Sequence, residues 1–196
     1  MPPTPGIWGK TLVGGQLGPW FSGNLQDDFV QSDVRLSASG TAFHLELFYQ
    51  PHLTGALNLD LNFGAVSRGD LRASVTGGSA LGNATLYPLG AGMIVFPLAK
   101  KEKTRLQPFL RAGGSLVIGT ERLDVVTQDL YAVGTASRSR TAWGYYAGGG
   151  ATWLLGTSMA IVGTVKYQYV KFDQELFGVR DYSGTQVLVG IAYLYR

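Results

Sequence analysis

The chain has 196 residues, a net charge of +3, 45% hydrophobic and 15% charged residues, 28 Gly and no Cys. One domain is the prior at this length, and the charged fraction is well below the ~25% usual for soluble domains. The small charge gives no reason to invoke nucleic acid, and the lack of Cys excludes disulfides and thiolate metal sites.

Residues 1 to 6 read as a Pro-rich, flexible lead, with a single domain over 7 to 196. MPPTPGIWGK has no apolar core, so it is not a signal peptide. An exported protein needs one, and the expectation is that it was removed or replaced by a start Met. Strand one is expected from Ile7 to Phe21, with Val13, Leu17 and Phe21 on one parity and Lys10, Leu12, Gly14 and Gln16 on the other. A polar loop over 22 to 40 follows. Strand two, TAFHLELFYQ, sets Phe43, Leu45, Leu47 and Tyr49 against His44, Glu46, Phe48 and Gln50. Pro51 to Thr54 reads as a short turn. Strand three, ALNLDLNFGA, alternates Leu57, Leu59, Leu61 and Phe63 with Asn58, Asp60 and Asn62.

A second loop spans 67 to 83. Strand four carries Tyr87, Leu89, Met93 and Val95 on one face, and LAKKEKTR makes a basic turn. Strand five puts Leu106, Leu110, Leu116 and Ile118 on one face and Gln107, Arg111 and Ser115 on the other. A third loop covers 120 to 139, and a fourth covers 173 to 183. The last strand is QVLVGIAYLYR. Pro51, Pro97 and Pro108 fall near one rim; Pro19 and Pro88 are expected at rim or bulge positions.

Between the third and fourth loops lies an uncharged window, Ala142 to Val165, long enough for a membrane helix. Gly148 to Gly150 argue against one, since each interior Gly costs ~1 kcal/mol relative to Ala. The period is two. Trp143, Tyr145, Ala147, Ala151, Trp153 and Leu155 alternate with Gly144, Tyr146, Gly148, Gly150 and Thr152. Past a Gly156-Thr157-Ser158 turn, Ile161, Val165, Tyr167 and Tyr169 alternate with Thr164, Lys166 and Gln168.

Eight strands result, with connections alternating long and short. The fold class is all-β: an eight-stranded antiparallel up-and-down transmembrane β-barrel, greasy side outward and small or polar side inward. Phe43, Tyr49, Phe63, Tyr87, Trp143, Tyr145, Trp153, Tyr167, Tyr169, Tyr193 and Tyr195 are then expected at the membrane interfaces.

FYQPHLTGALNLDLNFG, LQPFLRAGGSL and the closing QVLVGIAYLYR make residues 7 to 196 resemble the OmpA-like eight-stranded outer-membrane barrels. The resemblance implies a bacterial outer-membrane location, with outer-membrane lipid and the barrel assembly machinery as partners. The closing strand looks like the insertion signal that machinery reads, although Arg196 stands where that family usually ends on Phe or Trp. No peptidoglycan-binding domain follows, so no cell-wall role is carried over.

The inward parity holds Lys10, His44, Glu46, Asp60, Arg111 and Lys166. Eight strands leave an interior just wide enough for side chains to fill, and buried charges must pair. Glu46 and Asp60 are expected to pair with Arg111 and Lys166 as a polar plug; the competing reading is a narrow ion path. A lipid A-modifying enzyme needs a His with a Ser and an acid near the outer rim. Here only His44, with Ser67 or Ser39, and the turn residue His52 could serve, and the expectation is no enzyme. Asp27 and Asp28 read as a solvated loop face. The Lys100, Lys101, Lys103 and Arg105 cluster reads as a solvated turn that also suits anionic headgroups. No metal spacing or cofactor motif is present.

The leading expectation is a structural or interaction protein whose loops at 22–40, 67–83, 120–139 and 173–183 meet an envelope, surface or host partner. A small pore comes second. A soluble lipocalin-like barrel would require the reverse sidedness, with greasy residues inside.

Overall fold

In the computed structural model, the period-two pattern builds one closed antiparallel barrel. The structure describes residues 6–22, 29–31, 34–37, 41–75, 78–99, 104–127, 132–176 and 179–196. Among these there are twelve strands and no helix. They are β1 (Thr11–Phe21), β2 (Phe29–Gln31), β3 (Val34–Ser37), β4 (Thr41–Gln50), β5 (His52–Thr54), β6 (Leu57–Val75), β7 (Gly78–Val95), β8 (Leu106–Thr127), β9 (Ala132–Leu154), β10 (Met159–Leu176), β11 (Val179–Asp181) and β12 (Gly184–Tyr195). Eight of them form the ring β1-β4-β6-β7-β8-β9-β10-β12, and β12 closes on β1 through Thr11↔Tyr195 to Phe21↔Thr185. Closure leaves no free edge at this level, as a membrane interior demands. The uncharged window 142–165 is the β9–β10 hairpin.

Sidedness follows the parity of each strand. Leu45, Leu47, Leu110 and Val165 are exposed, whereas His44, Glu46, Arg111 and Lys166 are buried. Asn58, Asp60 and Asn62 are buried, and Leu61 and Phe63 are exposed. This is the reverse of a lipocalin. The oily exterior of a closed barrel is what hydrocarbon solvates.

Inside, apolar side chains cluster toward both ends, and polar ones concentrate at mid-height, with Gln50, Asn58, Gln107 and Thr152 also buried toward the short-turn end. On β4 the inward order is Ala42, His44, Glu46, Phe48, Gln50; on β10 it is Val162, Thr164, Lys166, Gln168, Val170. One apolar cluster, including Leu12, Phe48, Ile94, Phe96 and Phe109, fills the short-turn end. A second, including Trp20, Val66, Leu86, Val117 and Phe172, fills the other end. The polar belt lies between them.

The structure corrects several expected boundaries. Strand one begins at Thr11, not Ile7. Residues 7 to 10 form a turn closed by Lys10 N–H to Ile7 O at 3.1 Å, with Gly9 at φ 68°, which tucks Ile7 into the short-turn cluster. The flexible lead, apart from Gly6, lies outside the described residues. Pro51 to Thr54 is not the turn. His52–Thr54 pairs with β6, and the chain reverses at Gly55, whose φ of 57° suits Gly.

Among the described residues, the four expected long loops are largely β-structure. β6 continues to Val75 and β7 starts at Gly78; β8 reaches Thr127 and β9 starts at Ala132. β2 and β3 form a hairpin inside 22–40, and β3 joins β6 through Arg35↔Ser74. β10 runs on to Leu176 and pairs with β11 inside 173–183. The residues of these extensions lack the apolar alternation that marks strands in the sequence. Asp27, Asp28, Ser39, Lys100, Lys101 and Lys103 lie outside the described residues.

Pro88 is not at a rim or bulge. It lies within β7 opposite Gly64, in a gap of the β6–β7 ladder between Phe63↔Leu89 and Val66↔Leu86. The register is unchanged across the gap, so a missing N–H is tolerated there. Pro19 likewise lies within β1, paired with Phe43 of β4, where the β1–β12 ladder skips from Leu17↔Val189 to Trp20↔Gln186.

Candidate functional site

The polar belt is built by residues that the barrel register brings to one level. Glu46 lies opposite Gln16 across β1 and β4, and Arg111 and Lys166 flank Gly148 of β9. Arg111 reaches both acids. Its Nη1 lies 3.0 Å from Glu46 Oε1, and its Nη2 lies 2.8 Å from Asp60 Oδ2. Lys166 pairs with the other oxygen of Glu46. Two acids and two bases sum to zero charge, and all four side chains are buried.

Neutral donors complete the shell. Asp60 accepts from Arg111 Nε (2.9 Å), the Tyr146 hydroxyl (2.8 Å) and Gln50 Nε2 (3.2 Å). Glu46 Oε1 also accepts from Gln16 Nε2 (2.6 Å), and Gln16 Oε1 accepts from Thr164 Oγ1 (2.9 Å). Asn62 donates to the Tyr146 hydroxyl at 3.1 Å. Both Arg111 and Lys166 stand over the Tyr146 ring, 5.3 and 5.2 Å from its centroid. An unpaired buried ion costs several kcal/mol; here each charge has an opposite partner, and both acids accept further hydrogen bonds from neutral donors. Gln16, Gln50, Asn62, Tyr146 and Thr164 were legible as inward by parity, but nothing in their spacing marks them as members of one network.

Glycines on β7 make the crossing possible. A Cβ at Gly90 would lie 2.3 Å from Asn62 Oδ1, and one at Gly92 would lie 2.7 Å from the Tyr146 hydroxyl. Side chains from β6 and β9 occupy that space.

Two of the six inward residues stand apart. Lys10 is at the short-turn end, where its Nζ donates to Thr157 O at 2.6 Å. Burial and the nearby Arg196 charge lower its pKa from the ordinary value. His44 lies one step along β4 from Glu46, with its ring 5.6 Å from that of Trp20 and tilted 51°. Ser67 sits on the outer face of β6 opposite Phe43, so the barrel wall separates it from the His44 ring. His52 is half-buried at the short-turn end, 3.3 Å from Asn58 Oδ1.

The aromatic residues are exposed in two bands. Tyr49, Trp153, Tyr193 and Tyr195 ring the short-turn end; Phe43, Trp143, Tyr145 and Tyr167 ring the other. Tyr145 and Tyr169 stack at 4.8 Å, and Tyr169 and Tyr87 are half-buried. Phe63 is exposed between the bands.

No family model and no curated protein matches this sequence. Solved structures do match in shape. OprG of Pseudomonas aeruginosa, an outer-membrane protein, aligns at 12% identity and TM-score 0.65, covering 98% of this chain and 97% of its own. Neisserial surface protein A aligns at 12% identity and TM-score 0.56, covering 95% and 97%. Ail of Yersinia pestis, solved with the heparin analogue sucrose octasulfate, aligns at 15% identity and TM-score 0.51, covering 94% and 99%. The fold is that of the OmpA-like eight-stranded outer-membrane barrels.

Proposed function

We propose that this barrel is a closed, non-enzymatic scaffold that anchors stiff outer hairpins in the outer membrane and presents them to an envelope, surface or host partner. One observation carries the reading: a belt of paired ions closes the lumen at mid-height, and an apolar cluster packs the interior on either side of it. An ion crossing would have to displace oily side chains at both ends and break the charge belt between them. The aromatic bands are read as the two membrane interfaces. β8 runs on from Ile118 to Thr127 beyond the outer band, roughly 20 to 25 Å of ladder at ~3.3 Å per residue once tilt is allowed for.

The test has two arms. Refolded protein in a planar bilayer is expected to show no large steady conductance, and such a conductance would overturn the closed scaffold. Cells displaying the protein are then compared with cells displaying a form whose β8–β9 hairpin is shortened to the membrane surface. Immobilised matrix proteins and a sulfated polysaccharide serve as probes, the latter because Ail was solved with a heparin analogue. Binding that is lost on shortening supports the reading; equal binding by both forms counts against it.

A further inference from the structure

Above the outer aromatic band the barrel wall is split. β9 and β10 pair from Ala160↔Leu154 up to Val170↔Gly144 and no further. Beyond that point β9 stays on β8, pairing out to Val126↔Ala132, while β10 turns to β11 through Lys171↔Asp181. Among the described residues, the β9 edge from Ala132 to Trp143 therefore has no ladder partner on its β10 side. At the other end of the hairpin, Leu155 donates its N–H to Met159 O on the β10 side, whereas Leu154 donates to Arg105 O on the β8 side. Residues of Leu155's parity, Ser137, Ser139 and Thr141 among them, thus point N–H and C=O groups into the gap. A cleft of about 270 Å³ occupies it, lined by Ser139, Arg140 and Thr141 on one wall and Phe172, Asp173 and Gln174 on the other. Arg140 and Asp173 stand on opposite walls of the cleft, and no ion pair joins them.

We propose that this cleft receives an extended segment of a partner protein, which adds as a strand to the free edge of β9. The inference rests on the reading that the outer end meets a partner, and it names the mode. Main-chain hydrogen bonds to the edge supply affinity, and side-chain contacts supply selectivity. Arg140 shares parity with the lumen-facing residues of β9, and Asp173 shares parity with the outward residues of β10. Neighbouring side chains of an inserted strand point to opposite faces, so the fitting segment carries an acidic residue next to a basic one. That pair would neutralise Arg140 and Asp173 together.

The probe is a displayed library of random dodecapeptides, selected on the refolded full chain. Winners are measured against the parent, Ser139→Pro and Arg140→Glu. They are also measured against Thr141→Cys and Arg180→Cys, each labelled with a bulky maleimide; the chain has no other cysteine to react. Folding of each form is checked by its heat-dependent gel mobility. Ser139→Pro deletes an N–H aimed at the gap and leaves the β8 ladder intact. Winners are expected to carry adjacent acidic and basic residues. They should lose about tenfold or more in affinity on Ser139→Pro and on labelled Thr141→Cys, and keep it on labelled Arg180→Cys. Winners that bind all forms alike, yet fail on the shortened hairpin, overturn the cleft while the outer-end reading stands. Winners indifferent to the shortened hairpin overturn both, and an empty selection overturns the inserted strand.

Discussion

Glu46 Oε1 and Arg111 Nη1 meet at 3.0 Å in the middle of the barrel, and each side chain is only 1% exposed. The two residues come from β4 and β8, across the lumen from one another. No local sequence rule joins them; only the closed register does. Since Arg111 serves Glu46 and Asp60 together, it is the hub of the belt. Arg111→Met should leave two acids with one base, and the loss of folding free energy should be about 3 to 5 kcal/mol. Urea titration of the protein in lipid vesicles measures it. A loss below 1 kcal/mol would mean that water already reaches the belt.

Gly90 and Gly92 offer a matched contrast. The three atoms nearest a Cβ at Gly90 all belong to the Asn62 side chain, whereas a Cβ at Gly92 meets the Ala112 carbonyl oxygen at 2.2 Å. Gly90→Ala should therefore be rescued in large part by Asn62→Ala, with a coupling energy of about 1 kcal/mol or more. Gly92→Ala should find no such rescue from Tyr146→Phe, because backbone is in the way. A double-mutant cycle on urea midpoints checks both.

Leu110 lies on the outer face midway between the aromatic bands and is 65% exposed, while Leu106 lies level with Trp153. Leu110→Arg should cost about 2 to 4 kcal/mol in vesicles, and Leu106→Arg about 0 to 1. Equal costs would mean that hydrocarbon does not cover this face.

Lys10 gives a pH signature. Its ammonium is harder to hold charged in the folded chain than in the unfolded one, so its folded pKa lies below 10.5. Unfolding then takes up a proton in the interval between the two values, and stability rises with pH there. Relative to Lys10→Met, the parent should gain stability as pH approaches 10.5. A difference independent of pH would sink this account.

Much of this was legible in the residues themselves. Inside the membrane the alternation of Leu57, Leu59 and Leu61 with Asn58 and Asp60 is forced by oil on one side and a polar belt on the other. Glu46, Asp60, Arg111 and Lys166 could be matched because few charges share the inward parity. Above the membrane that forcing disappears. Arg122, Ser137 and Ser139 are as compatible with a loop as with a strand, and only their ladder partners decide. The two apolar layers were equally hidden, since Phe48 and Phe109 share a parity with Glu46 and Arg111. His44 illustrates a further limit: one parity placed it inside, but its neighbour Trp20 comes from another strand.

The β8–β9 ladder runs without a break from Leu106 to Val125. Its foot is clamped by the bilayer and its head stands clear of it, so the pair behaves as a mast stepped in a hull. A few degrees of lean in the hull swing the masthead sideways by an amount set by its height. Whatever alters the hydrophobic thickness around the foot will therefore re-aim the tip.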